Sequence, residues 1–269
     1  MTTAKGHYQI PLLLPFLLLL VPLSAQEPRR DSRHPLDAPA EAHDDKAAEQ
    51  SLWDSIRDGM DPRAYRTYLI KFPQGQFKDE ARARLGALLG EDYVALFTKR
   101  VSVNRQWANV ERQLRRRADL IPLLISTLQE AGVHEPELFG QIAEARSSLL
   151  DAMSASPQGE EDNKTPEQKR TVIDADNGFG GILRRVDSLL ENYPQLRSNE
   201  KFLKMQDEFA GVENRASVAQ ADYNGAVQEY NTARSQPQVA ALAEQHGFTE
   251  EPYFKSEQAQ PAEPRIKRA

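Results

Sequence analysis

The helical character of the chain is clearest in residues 202–230, FLKMQDEFAGVENRASVAQADYNGAVQEY. Apolar side chains recur there at alternating steps of three and four residues. They are Phe202, Met205, Phe209, Val212, Ala216, Ala219, Tyr223, Ala226 and Tyr230. Such a heptad repeat lines up apolar side chains along one stripe of an α-helix, here called the seam, which packs against other helices. The stretch therefore predicts a long amphipathic helix.

Three earlier segments carry the same repeat. The first has Val103, Trp107, Val110, Leu114, Arg117, Ile121, Leu124 and Leu128 on its seam, the second has Leu138, Ile142, Ala145, Leu149 and Ala152, and the third has Ile173, Asp176, Phe179, Leu183, Val186, Leu190 and Tyr193. Pro122 is expected to kink the first helix because it removes a backbone hydrogen bond. The capping pattern from Thr165 to Gln168 is expected to start the third. Four such helices predict an all-α fold, with an elongated antiparallel four-helix bundle over residues 91–255.

A small helical-hairpin module is predicted before the bundle, over residues 51–90. Asp61 can cap a helix whose first residue is Pro62, and Pro73 and Gly75 can end it. The spacing of aromatic residues resembles a tetratricopeptide-like unit, which rarely stands alone because its open face needs a neighbour. Two interpretations follow: a helix pair that caps the bundle, or a partner-binding surface. The residues of that surface would be Trp53, Tyr65, Tyr68 and Phe72.

The two ends of the chain have different compositions from the middle. Residues 10–23 are uncharged and rich in leucine but contain three prolines, which is short of the ~20 apolar residues of a spanning helix. Residues 1–25 therefore predict a signal peptide, with a short membrane anchor as the alternative. Residues 26–50 predict a flexible linker and residues 256–269 a disordered tail. The expected location is the periplasm or the envelope, or a membrane surface if the anchor is retained.

Composition argues against several classes of function. The net charge of −6 disfavours nucleic-acid binding, which needs a concentrated positive face. There is no cysteine, so disulfides, thiolate metal sites and thiol nucleophiles are excluded. No histidine pair has metal-ligand spacing, and no nucleophile motif occurs. We therefore expect no metal, no cofactor and no enzymatic activity.

The seam contains two charged residues, Arg117 and Asp176. A charge against the core is costly unless it is paired. We expect a structural polar layer in which Arg117 pairs with Asp176 or Glu213 and fixes the helix register. Ligand binding by this layer is the alternative.

The fourth helix also repeats a Tyr-Asn pair at seven-residue spacing, Tyr223-Asn224 and Tyr230-Asn231. Core packing and a partner-binding groove are both compatible with this repeat. After Pro237, the sequence predicts a short helix over residues 239–245 and an extended segment. The aromatic side chains of that segment are expected to fasten the tail to the bundle, and they are Phe248, Tyr253 and Phe254.

Between Val94 and Phe254 the chain resembles the LemA family. The residues that carry the resemblance are Trp107, Val110, Leu114, Arg117, Asp119 to Pro122, His134-Glu135, Ala143, Ala145-Arg146, Tyr193 to Leu196, Asn199, Phe202, Gln206, Glu213-Asn214, Tyr223-Asn224, Tyr230-Asn231, Pro237, Gly247-Phe248 and Tyr253-Phe254. The chain departs from the family pattern at Ala221-Asp222, where an arginine usually precedes the Tyr-Asn pair.

The resemblance implies a helical, envelope-associated protein without an established enzymatic activity. One branch of the family is linked to magnetosome membranes, and other members are often encoded near membrane metallopeptidases. We therefore expect a structural or adaptor protein that binds other envelope proteins or assembles with itself, and that associates with membranes in some settings. The alternatives are a ligand-binding sensor and an accessory factor of a membrane metallopeptidase system.

Overall fold

The computed structural model describes residues 40–160 and 163–254, and all regular secondary structure in these residues is helical. The helices are α1 (Ala40–Ile56), α2 (Pro62–Lys71), α3 (Lys78–Leu89), α4 (Glu91–Asp119), α5 (Ile121–Glu130), α6 (Pro136–Ser154), α7 (Pro166–Asn192), α8 (Glu200–Arg234) and α9 (Pro237–Gln245), with a 3-10 helix at Pro194–Ser198. This confirms the all-α class. The chain divides into two compact units, residues 1–45 and 46–269, and every contact described below lies within the second.

The long helices form an antiparallel bundle. Lys99 near the start of α4 pairs with Glu229 near the end of α8 at 3.2 Å. At the opposite end, Glu130 of α5 pairs with Lys201 at the start of α8 at 2.7 Å. These contacts fix α8 antiparallel to the α4–α5 pair. α6 and α7 run antiparallel as the second pair, since Arg185 near the end of α7 donates to Gln141 near the start of α6. The 35 residues of α8 span ~52 Å at 1.5 Å per residue, so one buried seam runs the length of the bundle.

The first bundle helix is broken where the kink was predicted. α4 ends at Asp119 and α5 begins at Ile121, with Pro122 in its first turn. Proline has no N–H to donate to the carbonyl four residues earlier, which belongs to Ala118. Arg146 of α6 donates its Nε–H to that carbonyl oxygen at 2.8 Å. A side chain of a neighbouring helix thus satisfies the acceptor that the proline leaves free.

α7 begins as the sequence predicts. The Gln168 N–H donates to Thr165 Oγ1 at 3.2 Å, and the Thr165 N–H donates to Gln168 Oε1 at 3.1 Å, so the capping box is complete. α7 runs without a break through Gly178, Gly180 and Gly181, and a Cβ atom at Gly178 or Gly180 would meet open space.

The predicted linker, residues 26–50, is too long at its C-terminal end. Residues 40–50 belong to α1, since alanine, glutamate, lysine and glutamine favour a helix even without an apolar stripe. Glu49 of this segment is fixed to the hairpin: its Oε1 accepts from Tyr68 Oη at 2.6 Å and from the Gln76 N–H at 2.5 Å. The predicted segments at residues 1–25, the first part of the linker and residues 256–269 lie outside the described residues.

The hairpin module has an aromatic core. Trp53 stacks on Phe77 at a centroid distance of 5.0 Å and lies 5.4 Å from the Tyr68 ring, while Tyr65 Oη donates to the Gly59 carbonyl at 2.6 Å. Trp53, Tyr65 and Tyr68 are buried, so their prediction as an interaction surface is wrong: they hold α1, α2 and α3 together.

Phe72, the fourth residue predicted for that surface, is partly buried against the same core. The module also contacts the bundle, because Arg66 Nη1 of α2 donates to Tyr93 Oη of α4 at 3.0 Å. This contact favours the capping interpretation. The likeness to a tetratricopeptide unit stays a prediction.

Candidate functional site

The structure brings together the three residues of the predicted polar layer. Arg117 of α4 donates from Nη2 to Asp176 Oδ1 of α7, and from Nη1 to both oxygens of Glu213 of α8, at 3.1 and 3.2 Å. The second oxygen of Asp176 accepts from Gln220 Nε2 at 3.0 Å. The guanidinium carbon lies 5.1 Å from the ring centroid of Phe179. One arginine therefore ties three helices together at a single level of the bundle.

Two of the three residues of the polar layer are closed to solvent. Arg117 and Asp176 are buried, whereas Glu213 is half exposed. Both oxygens of Asp176 are occupied by protein donors. A cavity of about 290 Å³ lies elsewhere, beside the hairpin module, and none of the three residues lines it. The arrangement suits a lock on helix register better than a ligand site.

A second polar site joins the bundle to an extended segment after α9, Thr249–Phe254, here called the strap. Tyr230 Oη donates to the Thr249 carbonyl at 2.9 Å, and Tyr223 Oη donates to the Pro252 carbonyl at 2.8 Å. A tyrosine phenol is a protonated donor at neutral pH, and burial raises the pKa of both of these further. The repeated tyrosines of α8 therefore act as hydrogen-bond donors to a neighbouring peptide.

The asparagines beside them hold the strap backbone from both sides. Asn231 donates to the Glu251 carbonyl at 2.9 Å and accepts from the Glu251 N–H at 3.0 Å. Asn224 makes the same pair of bonds with Phe254, both at 2.9 Å. Seven helical residues rise ~10.5 Å and three extended residues span ~10 Å, so the spacing on α8 matches the spacing on the strap. The Tyr-Asn repeat is thus a ladder that binds an extended backbone.

Two strap side chains enter the bundle. The carboxylate of Glu251 accepts from Lys169 Nζ of α7 at 3.0 and 2.9 Å, and the same nitrogen donates to Asn104 Oδ1 of α4 at 2.8 Å. Lys169 and Glu251 are both buried. Lys169 Nζ also lies 5.9 Å from the ring centroid of Trp107, within the range of a cation–π contact. Burial lowers the pKa of Lys169, and the charge and hydrogen bonds of Glu251 partly oppose that shift.

Phe254 fills an aromatic pocket. Its ring lies 6.0 Å from Trp107 and 5.7 Å from Tyr223, with the second contact edge to face. Pro252 is buried between these two anchors, whereas Tyr253 is 44% exposed. We call the space between α4, α7 and α8 that receives the strap the tail groove. It binds a backbone, one carboxylate and one aromatic ring.

Part of this site is predictable from the sequence. The tail was expected to be fastened by aromatic residues, and Phe248 and Phe254 are buried accordingly. Tyr253 was expected to contribute, but its side chain faces solvent. The pair Lys169–Glu251 was missed, although Lys169 lies four residues before Ile173, one step back along the seam of α7. Nothing in the sequence marked Glu251.

The side chains of the tail groove differ from those of a metal site or a membrane-spanning helix. No group of three histidine or acidic side chains that could hold a metal ion occurs in residues 40–160 and 163–254. None of the helices in those residues is both long and apolar enough to cross a membrane. The groups concentrated in the tail groove are hydrogen-bonding amides and phenols, one ammonium and two aromatic rings, and these bind polypeptide.

Comparison with known proteins agrees with the all-α fold and covers most of the bundle. The sequence profile of the LemA family matches residues 106–267, more than half of the chain. Magnetosome proteins MamQ 1 and MamQ 2 of Paramagnetospirillum magneticum are each 24% identical over 164 residues, which cover 56% of this chain and 60% of the relative. Magnetosome protein MamQ of Magnetospirillum gryphiswaldense is 23% identical over 174 residues, or 60% of this chain and 64% of the relative. The chain thus spans less than two thirds of the length of these relatives. By its profile match, it belongs to the LemA family.

Proposed function

We propose that this chain is a non-enzymatic protein of the bacterial cell envelope that acts as an adaptor through protein–protein interaction. The observation that carries the proposal is the tail groove, in which α4, α7 and α8 hold an extended polypeptide by its backbone. Amide side chains that bond both the N–H and the C=O of one residue recognise an extended chain largely independently of its sequence. The Lys169 and Trp107 contacts add a preference for an acid and an aromatic residue.

The envelope location rests on two supports. The LemA resemblance implies association with the envelope, and the uncharged residues 10–23 fit an export signal or a short anchor. The relatives reported above are named magnetosome proteins, which is compatible with a role beside a bacterial membrane. Cell fractionation with N-terminal sequencing tests this part. A soluble species that begins near Gln26 supports export with cleavage, an intact start in the membrane fraction supports an anchor, and recovery in the cytoplasm contradicts the location.

The ligand-sensor alternative finds no support at the polar layer. Its buried carboxylate is already bonded on both oxygens, and the cavity beside the hairpin module is not connected to it by any shared residue. The adaptor proposal therefore rests on the tail groove alone.

The adaptor activity is tested with a labelled peptide of residues 248–254, FTEEPYF, and a full-length chain whose own strap is weakened by Glu251→Gln and Phe254→Ala. We expect fluorescence anisotropy to show saturable binding, and binding to the unaltered chain to be weaker because its own strap competes. The matched control adds Asn224→Ala and Asn231→Ala to the weakened chain. It should bind at least tenfold more weakly, since four hydrogen bonds are lost at roughly 1 kcal/mol each. A folded, strap-weakened chain that does not bind the peptide would overturn the proposal.

A further inference from the structure

We infer that the tail groove also receives the strap of a second copy of this chain, so that two chains exchange their straps. This inference rests on the proposed function and names the partner. The strap fits the groove at three positions: Glu251 at Lys169, Pro252 between the anchors, and Phe254 against Trp107. Every copy of the chain carries both the groove and this matching segment. A second copy therefore presents a strap that is already complementary to the tail groove.

The link between strap and bundle is short and bends at one residue. α9 ends at Gln245, and the chain reverses at Gly247, whose φ is +66°. The Gly247 N–H donates to the Glu244 carbonyl at 3.3 Å, and the Phe248 N–H donates to the Ala243 carbonyl at 2.8 Å. These are the bonds of a helix C-terminal turn. If this turn opens to an extended backbone, the strap leaves its own groove as one piece.

Exchange of a segment is a low-cost route to a dimer, because the contacts of the closed chain are remade between chains. An open groove without any strap is costly, since Lys169 is buried and loses its carboxylate. A strap on the same chain competes at an effective concentration in the millimolar range. Exchange therefore becomes favourable where copies are concentrated, or where the turn at Gly247 is strained.

The first test separates groove and strap onto two full-length chains. The donor carries Asn224→Ala and Asn231→Ala, which weaken its groove, and the acceptor carries Glu251→Gln and Phe254→Ala, which weaken its strap. Light scattering after size exclusion should show a species of twice the 30.3 kDa chain mass in the mixture and not in either variant alone. Circular dichroism checks that both variants are helical. A mixture of helical variants that stays at the single-chain mass overturns the inference.

The second test leaves every groove and strap contact intact. Gly247→Ala disfavours the left-handed turn and should shift the balance from closed to open by about 5- to 30-fold, which raises the dimer fraction of the full chain at a given concentration. The matched control is Gly132→Ala, which places the same strain, at φ +83°, in the connection between α5 and α6. Equal dimer fractions in the two variants contradict strap exchange.

The two proposals fail in different ways. If the strap peptide binds the strap-weakened chain but the donor and acceptor do not combine, the groove is an adaptor site for another protein and the second-copy inference falls. If the peptide does not bind at all, the adaptor proposal falls as well.

Discussion

Two buried cations of the bundle, Arg117 and Lys169, are satisfied in different ways. Arg117 is paired with Asp176, and each residue lies on a long helix of the bundle. Lys169 is paired with Glu251, which lies on the six-residue strap. A guanidinium keeps its charge at any pH that a protein tolerates, whereas a buried lysine can release its proton. The first pair is therefore a permanent lock between helices, and the second is a latch whose cost of opening falls when its lysine releases the proton.

Removal of the lock should have the largest effect. Asp176→Ala leaves the Arg117 guanidinium buried against Phe179 without its buried partner, and this should lower the free energy of unfolding by about 3–5 kcal/mol. Urea unfolding monitored by circular dichroism measures the loss. The matched control is Glu213→Ala, whose side chain is 48% exposed and whose removal should cost about 1 kcal/mol or less. Equal losses in the two variants would mean that burial does not set the strength of this layer.

Opening of the latch should cost less and should depend on pH. Glu251→Ala leaves Lys169 without its carboxylate, but the amine can become neutral, so we expect a loss of about 2–3 kcal/mol at neutral pH. Because burial lowers the pKa of Lys169, the folded chain binds fewer protons than the unfolded chain between that lowered pKa and the ordinary value of 10.5. Stability then rises with pH in that window. Removal of Glu251 takes away the charge that opposes the lowering of the Lys169 pKa, so this window is wider in Glu251→Ala. The loss of stability in this variant should therefore shrink between about pH 7 and about pH 10.

The loss of stability in Asp176→Ala supplies the control for this pH series, because a guanidinium group keeps its charge throughout that range. It should stay constant in urea unfolding experiments at the same pH values. If both deficits change in parallel, the difference between lock and latch is not one of proton release.

The two sites also differ in how far they could be predicted from sequence. Arg117 and Asp176 interrupt an apolar heptad, so each stands out on a helix whose seam is certain to be buried. A buried charge on one seam needs an opposite charge on another seam or at its edge, and few residues meet that condition. The break near Pro122 was predictable for the same reason, since proline has a fixed local effect. Features that depend on a single helix and its heptad repeat can be predicted from one sequence.

The latch depends on the contact between Lys169 and Glu251, which no sequence repeat indicates. Glu251 lies in a short segment without repeat, 82 residues from Lys169, and its burial follows from where the strap docks. The Tyr-Asn repeat of α8 is visible in the sequence. Its two interpretations, core packing and a binding groove, differ only in which part of the chain packs opposite these residues. Trp53, Tyr65 and Tyr68 show the converse error. Their apolar stripe was correctly located on the helices of the module, but the sequence could not show that α1 and α3 cover it.

High pH should weaken the tail groove through its tyrosines. Burial raises the pKa of Tyr223 and Tyr230, so above about pH 10 the unfolded chain loses phenol protons that the folded chain keeps. Stability should then fall with rising pH by up to about 1.4 kcal/mol per pH unit for each tyrosine. Urea unfolding above about pH 10.5, where the opposing effect of Lys169 has ended, measures this slope.

Single substitutions of tyrosine by phenylalanine show which tyrosine causes the fall in stability at high pH. Tyr223→Phe removes the titrating phenol, so the fall in stability above about pH 10.5 should become shallower, although the lost bond to the Pro252 carbonyl lowers stability at every pH. Tyr253→Phe is the control, since this strap residue faces solvent and its substitution should leave the slope unchanged. An unchanged slope in Tyr223→Phe would show that alkaline unfolding starts outside the groove.

The smallest effect tests whether lock and latch are independent. Both use α7, where Lys169 and Asp176 lie two turns apart. Gly178 follows on the exposed side of the helix, where an added Cβ atom would meet open space. Gly178→Ala should raise the free energy of unfolding by about 0.5–1 kcal/mol, because alanine loses less entropy in a helix. Gly90→Ala, at φ +92°, should lower the free energy of unfolding instead.

If the latch opens locally, hydrogen exchange at the Glu251 and Phe254 amides should be unchanged by Gly178→Ala. Slower exchange at these amides would mean that the strap opens only when α7 itself loosens, and that the two buried cations form one cooperative unit.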